Sequence, residues 1–314
     1  MFIEIVSIIA GFVLLIWSAD RFVSGASMLA EIFKISPLVI GIFILGFGTS
    51  LPEIVVSAFA AFENKSSMAI GNAIGSNIAN IGLVIGVTAV VRPIKVDSNV
   101  LYKDFMILIA ISLLLVWMLW NLSLSRLDGI ILLVIFSLIM AVKFYRSKVT
   151  ASKLKDKSNE SSKHSLVKSI LYIILGLILL IISAKILIWG ASSIGKRLGM
   201  SDLAIGLTII AIGTSLPELA TSAVAALKKQ HDLALGNIIG SNIFNTLMVV
   251  GIAVLISPTI LNQLVLYRDA LYMVILTLCL FLFALIGKNK INRYQGAIFL
   301  ISYVIYIYSL FYYM

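Results

Sequence analysis

Apolar residues fall into ten long stretches along this chain, at about 3–30, 37–62, 68–91, 101–120, 127–146, 167–195, 202–227, 232–257, 266–287 and 294–313. Each reaches or approaches the ~20 residues a helix needs to cross a bilayer. Short polar connections separate them. Only one polar stretch is long, residues 147–166, where Lys148, Lys153, Lys155, Lys157 and Lys163 stand among serines without an apolar period. It is predicted to be a flexible linker. The pattern as a whole predicts an all-α polytopic membrane protein of ten transmembrane helices. It divides into a first five-helix unit over 1–146, the linker over 147–166 and a second five-helix unit over 167–314.

The two units repeat each other. A shift of 165 residues carries Ser18-Ala19 onto Ser183-Ala184, Gly41 onto Gly206, Glu53 onto Glu218, Pro93 onto Pro258 and Asp104 onto Asp269. A register held this long indicates duplication. Five spans per unit is an odd number, so the second unit enters the membrane from the opposite side. The expected plan is two inverted repeats related by a pseudo-two-fold axis in the membrane plane.

The apolar pattern is broken at corresponding places. The second span carries Gly48-Thr49-Ser50-Leu51-Pro52-Glu53, and the seventh carries Gly213-Thr214-Ser215-Leu216-Pro217-Glu218. The third span carries a Gly-Asn-x-x-Gly-Ser-Asn-x-x-Asn run from Gly71 to Asn80, and the eighth carries the same run from Gly236 to Asn245. Proline removes a helix donor and clashes with the preceding turn. Breaks are therefore expected in helices 2, 3, 7 and 8, with backbone carbonyls freed at mid-membrane depth. Such backbone survives in lipid only where protein or a wet cavity surrounds it. A carboxylate at the bilayer centre costs roughly 2.5–3.5 kcal/mol on insertion scales, so Glu53 and Glu218 require a counter-charge.

Composition acts mainly by exclusion. With 61% hydrophobic and 12% charged residues among 314, a soluble domain is ruled out. The single cysteine, Cys279, permits no intrachain disulfide. The net charge of +10 does not point to nucleic acid, because many basic residues lie in membrane loops. Lys34, Arg92, Lys95, Lys103, the linker lysines, Lys228, Lys229, Lys288, Lys290 and Arg293 fall on one side, against Lys65, Arg126, Lys196, Arg197 and Arg268 on the other. Positive charge favours the cytoplasm, which puts the linker inside and both termini outside, in a plasma-membrane protein. Met1-Phe2-Ile3-Glu4 lacks the basic start of a cleaved signal, so the first stretch is expected to remain as a span. Asp20, Arg21 and Lys185 lie inside long spans and read as snorkelling or paired charges.

The polar residues of the four interrupted spans are all oxygen or amide donors, which suits a hard cation. Calcium takes six to eight oxygens from carboxylates, carbonyls and water. Glu53 and Glu218 supply carboxylates that match one divalent ion in charge. Carbonyls around Thr49 and Thr214 add ligands. The hydroxyls of Ser50, Ser76, Ser215 and Ser241, with carbonyls at Gly46 and Ala211, suit sodium at sites sharing the two glutamates. Asn80 and Asn245 line the site and can orient the carboxylates. Neither cysteine nor histidine occurs in these motifs, which argues against zinc or copper.

These paired motifs in two five-helix halves resemble the cation/calcium antiporter superfamily, and within it the prokaryotic sodium/calcium exchangers. The resemblance covers essentially the whole chain. It implies calcium exchanged for sodium by alternating access, with Glu53 and Glu218 shared between the ions, and Thr49 and Thr214 giving calcium-binding carbonyls. It implies sodium sites at Ser50, Ser76, Ser215, Ser241, Gly46 and Ala211, and sliding of the first and sixth helices past the rest. Asn245 stands where potassium-dependent relatives have aspartate, which argues against potassium co-transport. No cofactor is implied, and one chain holds both half-sites, so a monomer suffices.

Three alternatives remain. A proton-coupled cation antiporter is the nearest, since buried glutamates can carry protons. A calcium channel would more naturally build its charge ring from several copies. An intramembrane protease would need the carboxylates to share one water and a peptide bond. None of the motifs carries the lysine of a phosphate-binding loop, so an ion gradient is the expected driving force.

Overall fold

The computed structural model describes residues 1–155, 165–200, 205, 209 and 211–312. Apart from four two-residue strands, its regular elements are helices. Helix α1 spans Phe2–Phe33. It closes at Lys34 in the left-handed conformation (φ 55), where the Ile35 amide turns back to the Ala30 carbonyl. Pro37 then opens α2, Pro37–Thr49, at the position where a missing amide costs nothing. Helix α3, Leu51–Phe62, leaves α2 at a bend of 49°. There follow α4, Ser66–Val91, α5, Val100–Asn121, and α6, Arg126–Lys155. The second half contains α7, Leu166–Arg197, α8, Ala211–Thr214, α9, Leu216–Leu227, and α10, His231–Ile256. It ends with α11, Val265–Ile286, and α12, Arg293–Tyr312.

Seven of these helices are long and apolar enough to cross a membrane, and the bent α2–α3 pair makes eight. The remaining two predicted stretches correspond to α9, preceded by 202–210 of which most lies outside the described residues, and to α12. Two expectations need correction. The third and eighth stretches do not break: α4 and α10 run through as single helices, each accommodating one π-helical turn, at Asn80–Ile85 and Phe244–Val249. Neither motif contains proline, so every residue keeps its amide and the ladder continues with one wider turn. The fifth helix does not stop at 146 but continues to Lys155, because 147–155 contains neither glycine nor proline to end it. The rest of the predicted linker, 156–164, lies outside the described residues.

The strands staple the halves together. Strand β1, Ile94–Lys95, pairs antiparallel with β4, Lys290–Ile291, and β2, Ser123–Leu124, pairs with β3, Thr259–Ile260. The larger apolar core lies among α4, α5, α10 and α11, including Ile74, Leu101, Ile239 and Leu266.

Helices α1 and α7 pack along each other on small residues, as membrane helices do. A Cβ on Gly11 would lie 2.9 Å from the Leu187 side chain, and one on Gly176 would lie 2.7 Å from the Phe22 backbone. Gly25 meets Ser169 and Ile173, while Gly190 meets Glu4 and Ile8. All these contacts are reciprocal under the shift of 165 residues. Outward from this seam α1 exposes Ile9, Phe12 and Val13 and α7 exposes Ile174, Leu175 and Ile178. That is a surface for lipid rather than water.

Candidate ion-binding site

The two breaks create the site. Ser50 (φ −84, ψ −1) and Ser215 (φ −89, ψ 1) sit in the same sparsely populated bridge conformation. Each is followed by a new helix with proline in its first turn. That proline strips the i+4 donor from the carbonyl of Gly48 or Gly213, the neighbour of Thr49 or Thr214. The third residue of each new helix is Glu53 or Glu218. A first-turn acid faces the positive end of the helix dipole.

Both glutamates are buried, 3% and 2% exposed. On each, Oε2 is buried with no hydrogen-bond partner among the described residues. They are neighbours: Glu218 lies within the electrostatic reach of Glu53 and within hydrogen-bonding reach of the Thr49 hydroxyl. Thr49 Oγ1 donates to Leu45 O at 3.1 Å and lies 3.2 Å from Asn237 Oδ1 and 3.4 Å from Ser241 Oγ. Ser241 Oγ lies 3.4 Å from the Gly46 carbonyl. Asn237 Nδ2 donates to the Glu218 carbonyl at 3.2 Å and to Ser222 Oγ at 2.8 Å. Glycines permit this convergence. A Cβ on Gly46 would sit 2.9 Å from the Asn237 carbonyl and from Gly240 Cα, so α2 and α10 touch backbone to backbone.

Of the residues singled out in the sequence, Gly46, Thr49, Glu218 and Ser241 thus meet, with Glu53 within electrostatic reach of Glu218. Ser50 and Ser215 at the hinges, Ser76 and Asn80 on α4 and Asn245 on α10 are also buried, but among the described residues no hydrogen bond joins them to either carboxylate. Ser50 Oγ, Asn80 Nδ2 and Asn245 Oδ1 are themselves buried without partners among the described residues. Asn80 opens one π turn and Asn245 lies in the other. Thr214 is half-buried at the end of α8, which Ala211 opens.

The sequence reading missed Ser57 and Ser222. They stand one helical turn after Glu53 and Glu218, and each accepts a hydrogen bond from the motif asparagine, Asn72 (3.2 Å) or Asn237. Their recurrence at the common register was the available signal. Among the described residues no three acidic, cysteine or histidine side chains cluster. The donors are two carboxylates with hydroxyls, carbonyls and amides, an oxygen set for a hard cation.

Comparison with known proteins agrees with this geometry. The family model described as sodium/calcium exchanger protein matches residues 3–145 and 168–312. The chain is 45% identical to a putative antiporter, CaxA, of Alkalimonas amylolytica, over 99% of each chain. It is 30% identical to the sodium/calcium exchanger MaX1 of Methanosarcina acetivorans, over 97% of each. Its fold matches the sodium-calcium exchanger NCX_Mj, soaked with sodium and strontium, with a TM-score of 0.85 at 35% identity over 98% of this chain and 99% of that one.

Proposed function

Because this chain belongs to the sodium/calcium exchanger protein family, and so is a membrane antiporter of calcium and sodium rather than an enzyme, we propose that it exchanges the two ions at one midplane site built around Glu53 and Glu218. The observation that carries the proposal is the pair of neighbouring buried carboxylates, each with an oxygen that no donor among the described residues satisfies. Two unpaired charges in a low-dielectric interior repel strongly, and a calcium ion between them removes that cost. Carbonyls at Thr49 and Thr214 complete its shell with water. Sodium uses the same glutamates together with Ser50, Ser76, Ser215, Ser241 and the carbonyls of Gly46 and Ala211, while Asn80 and Asn245 line the cavity. Sharing the carboxylates makes the ions compete, which is the basis of obligatory exchange.

The architecture we propose is ten spans in two inverted five-helix repeats, joined by a cytoplasmic connection between α6 and α7, with both termini outside the plasma membrane. The reciprocal α1–α7 contacts and the crossed strand pairs support it. Alternating access then consists of the two halves exchanging conformations around a fixed site. One chain contains both halves of the site, so a monomer is the functional unit.

The test is radiolabelled calcium uptake into sodium-loaded proteoliposomes at matched pH. Uptake that requires the sodium gradient and survives a protonophore is expected. Uptake driven only by a pH gradient would assign the exchange to protons, and uptake without any counter-ion would make the protein a channel.

A further inference from the structure

Two charges inside long spans, Asp20 and Lys185, take no part in the ion site. Asp20 is bound: Lys228 Nζ, just past the end of α9, lies 2.6 Å from its Oδ1 and also donates to Ser24 Oγ at 2.6 Å. Beside this pair Gln230 Nε2 donates to Ser27 Oγ at 2.6 Å. Together they fasten the end of α9 to the middle of α1, and the two helices pack along each other.

The shift of 165 residues maps Asp20 to Lys185, Ser27 to Ser192, Lys228 to Glu63 and Gln230 to Lys65. The tie is thus repeated with both signs reversed, so that it would again be attractive. In this structure the second tie is open. Glu63 instead pairs with exposed Lys65 at 2.7 Å, and among the described residues Lys185 has no ion-pair partner. Ser192 Oγ is buried with no hydrogen bond among the described residues, and α7 does not pack along α3 as α1 does along α9.

We propose that Asp20–Lys228 and Lys185–Glu63 are alternating latches, one closed in each access state. This rests on the alternating-access reading given above. When the halves exchange conformations, Lys228 leaves Asp20, Glu63 exchanges Lys65 for Lys185, and Lys65 is released towards Ser192. Each latch holds one half-helix against one long helix and opens as the other closes, so the protein does not rest with both gates apart.

Cysteine pairs test this in a Cys279→Ser background, in membranes, under mild oxidation. Asp20→Cys with Lys228→Cys, and Glu63→Cys with Lys185→Cys, are both expected to form disulfides. Each disulfide should reduce calcium exchange at least tenfold, with recovery on reduction. Failure of the 63/185 pair to cross-link where the 20/228 pair does, or cross-linking without loss of exchange, overturns the latch. Exchange by the reduced proteins reads out the antiport assignment separately. A charge swap, Asp20→Lys with Lys228→Asp, guards against misfolding. It should restore the exchange that Lys228→Asp alone diminishes, and equal rates for the single and double variants would also overturn the proposal.

Discussion

Helices α3 and α9 begin with the same Leu-Pro-Glu, hinge at serines of nearly equal φ and ψ, and are both 12 residues long. Their surroundings differ. Thr221 and Val224 on α9 are 0% and 8% exposed, whereas their counterparts on α3, Val56 and Phe59, are 54% and 67% exposed. The preceding contact differs likewise: Gly236 is buried against Gly41, whereas Gly71 is exposed. Local sequence sets the hinge, the first-turn acid and the burial of the carboxylate in both halves alike. What differs is the global arrangement, in which one half-helix is gripped by its long neighbour and the other is not. A duplicated site held in an asymmetric frame is what alternating access requires.

The strongest way to break this comparison is to remove a carboxylate from either side. On the proposed site, Glu53→Gln and Glu218→Gln should each lower calcium exchange by a factor of at least ~100, because both acids would hold the same ion. The asymmetry of their helices should not matter. A variant retaining wild-type exchange in sodium-loaded proteoliposomes would remove that glutamate from the site.

Glycines sharpen the comparison at the level of packing. A Cβ at Gly236 would meet Gly41 Cα at 2.8 Å, with no flexible side chain to give way, whereas one at Gly71 would meet no described atom within 4 Å. Gly236→Ala should therefore cost about 1–3 kcal/mol, the usual range for overpacking. Gly71→Ala should leave the melting temperature unchanged or raise it, since alanine is favoured over glycine in a helix by about 0.5–1 kcal/mol. If the halves exchange environments, Gly71→Ala should nonetheless slow exchange. Equal melting shifts for the two variants would show the halves to be equivalently packed.

A smaller effect separates the two motif asparagines. Asn237 bonds both Ser222 and the Glu218 backbone and touches Thr49, whereas the hydrogen bond found for Asn72 among the described residues is to Ser57. Stranding buried partners costs about 1–3 kcal/mol, so Asn237→Ala should destabilise the protein in detergent more than Asn72→Ala. The reverse order would contradict the hydrogen-bond assignment.

Much of this was legible in the chain. Pro52 and Pro217 marked the breaks because proline lacks a donor, and Glu53 and Glu218 pointed to the candidate site because an unpaired acid is too costly in an apolar run. The third and eighth spans were misread as broken because glycine and asparagine weaken a helix without removing its hydrogen bonds. Here they let backbones approach and the ladder absorbs an extra residue at Asn80–Ile85. Ser57 and Ser222 were passed over because a hydroxyl one turn from an acid looks like ordinary membrane-helix packing. The difference between α3 and α9 could not be read from a repeat, since near-identical motifs predict near-identical halves. Only the larger apolar side chains of α3, Val55, Val56 and Phe59 against Ala220, Thr221 and Val224, hint that the two faces keep different company.

The central claim is that Glu53 and Glu218 together hold one calcium ion. Its most direct test is calcium titration of the purified protein without sodium, by calorimetry, with Glu53→Gln and Glu218→Gln in parallel. One ion per chain for the wild type and at least tenfold weaker binding in each single variant are expected. Wild-type affinity in either variant, or two independent ions per chain, would contradict it.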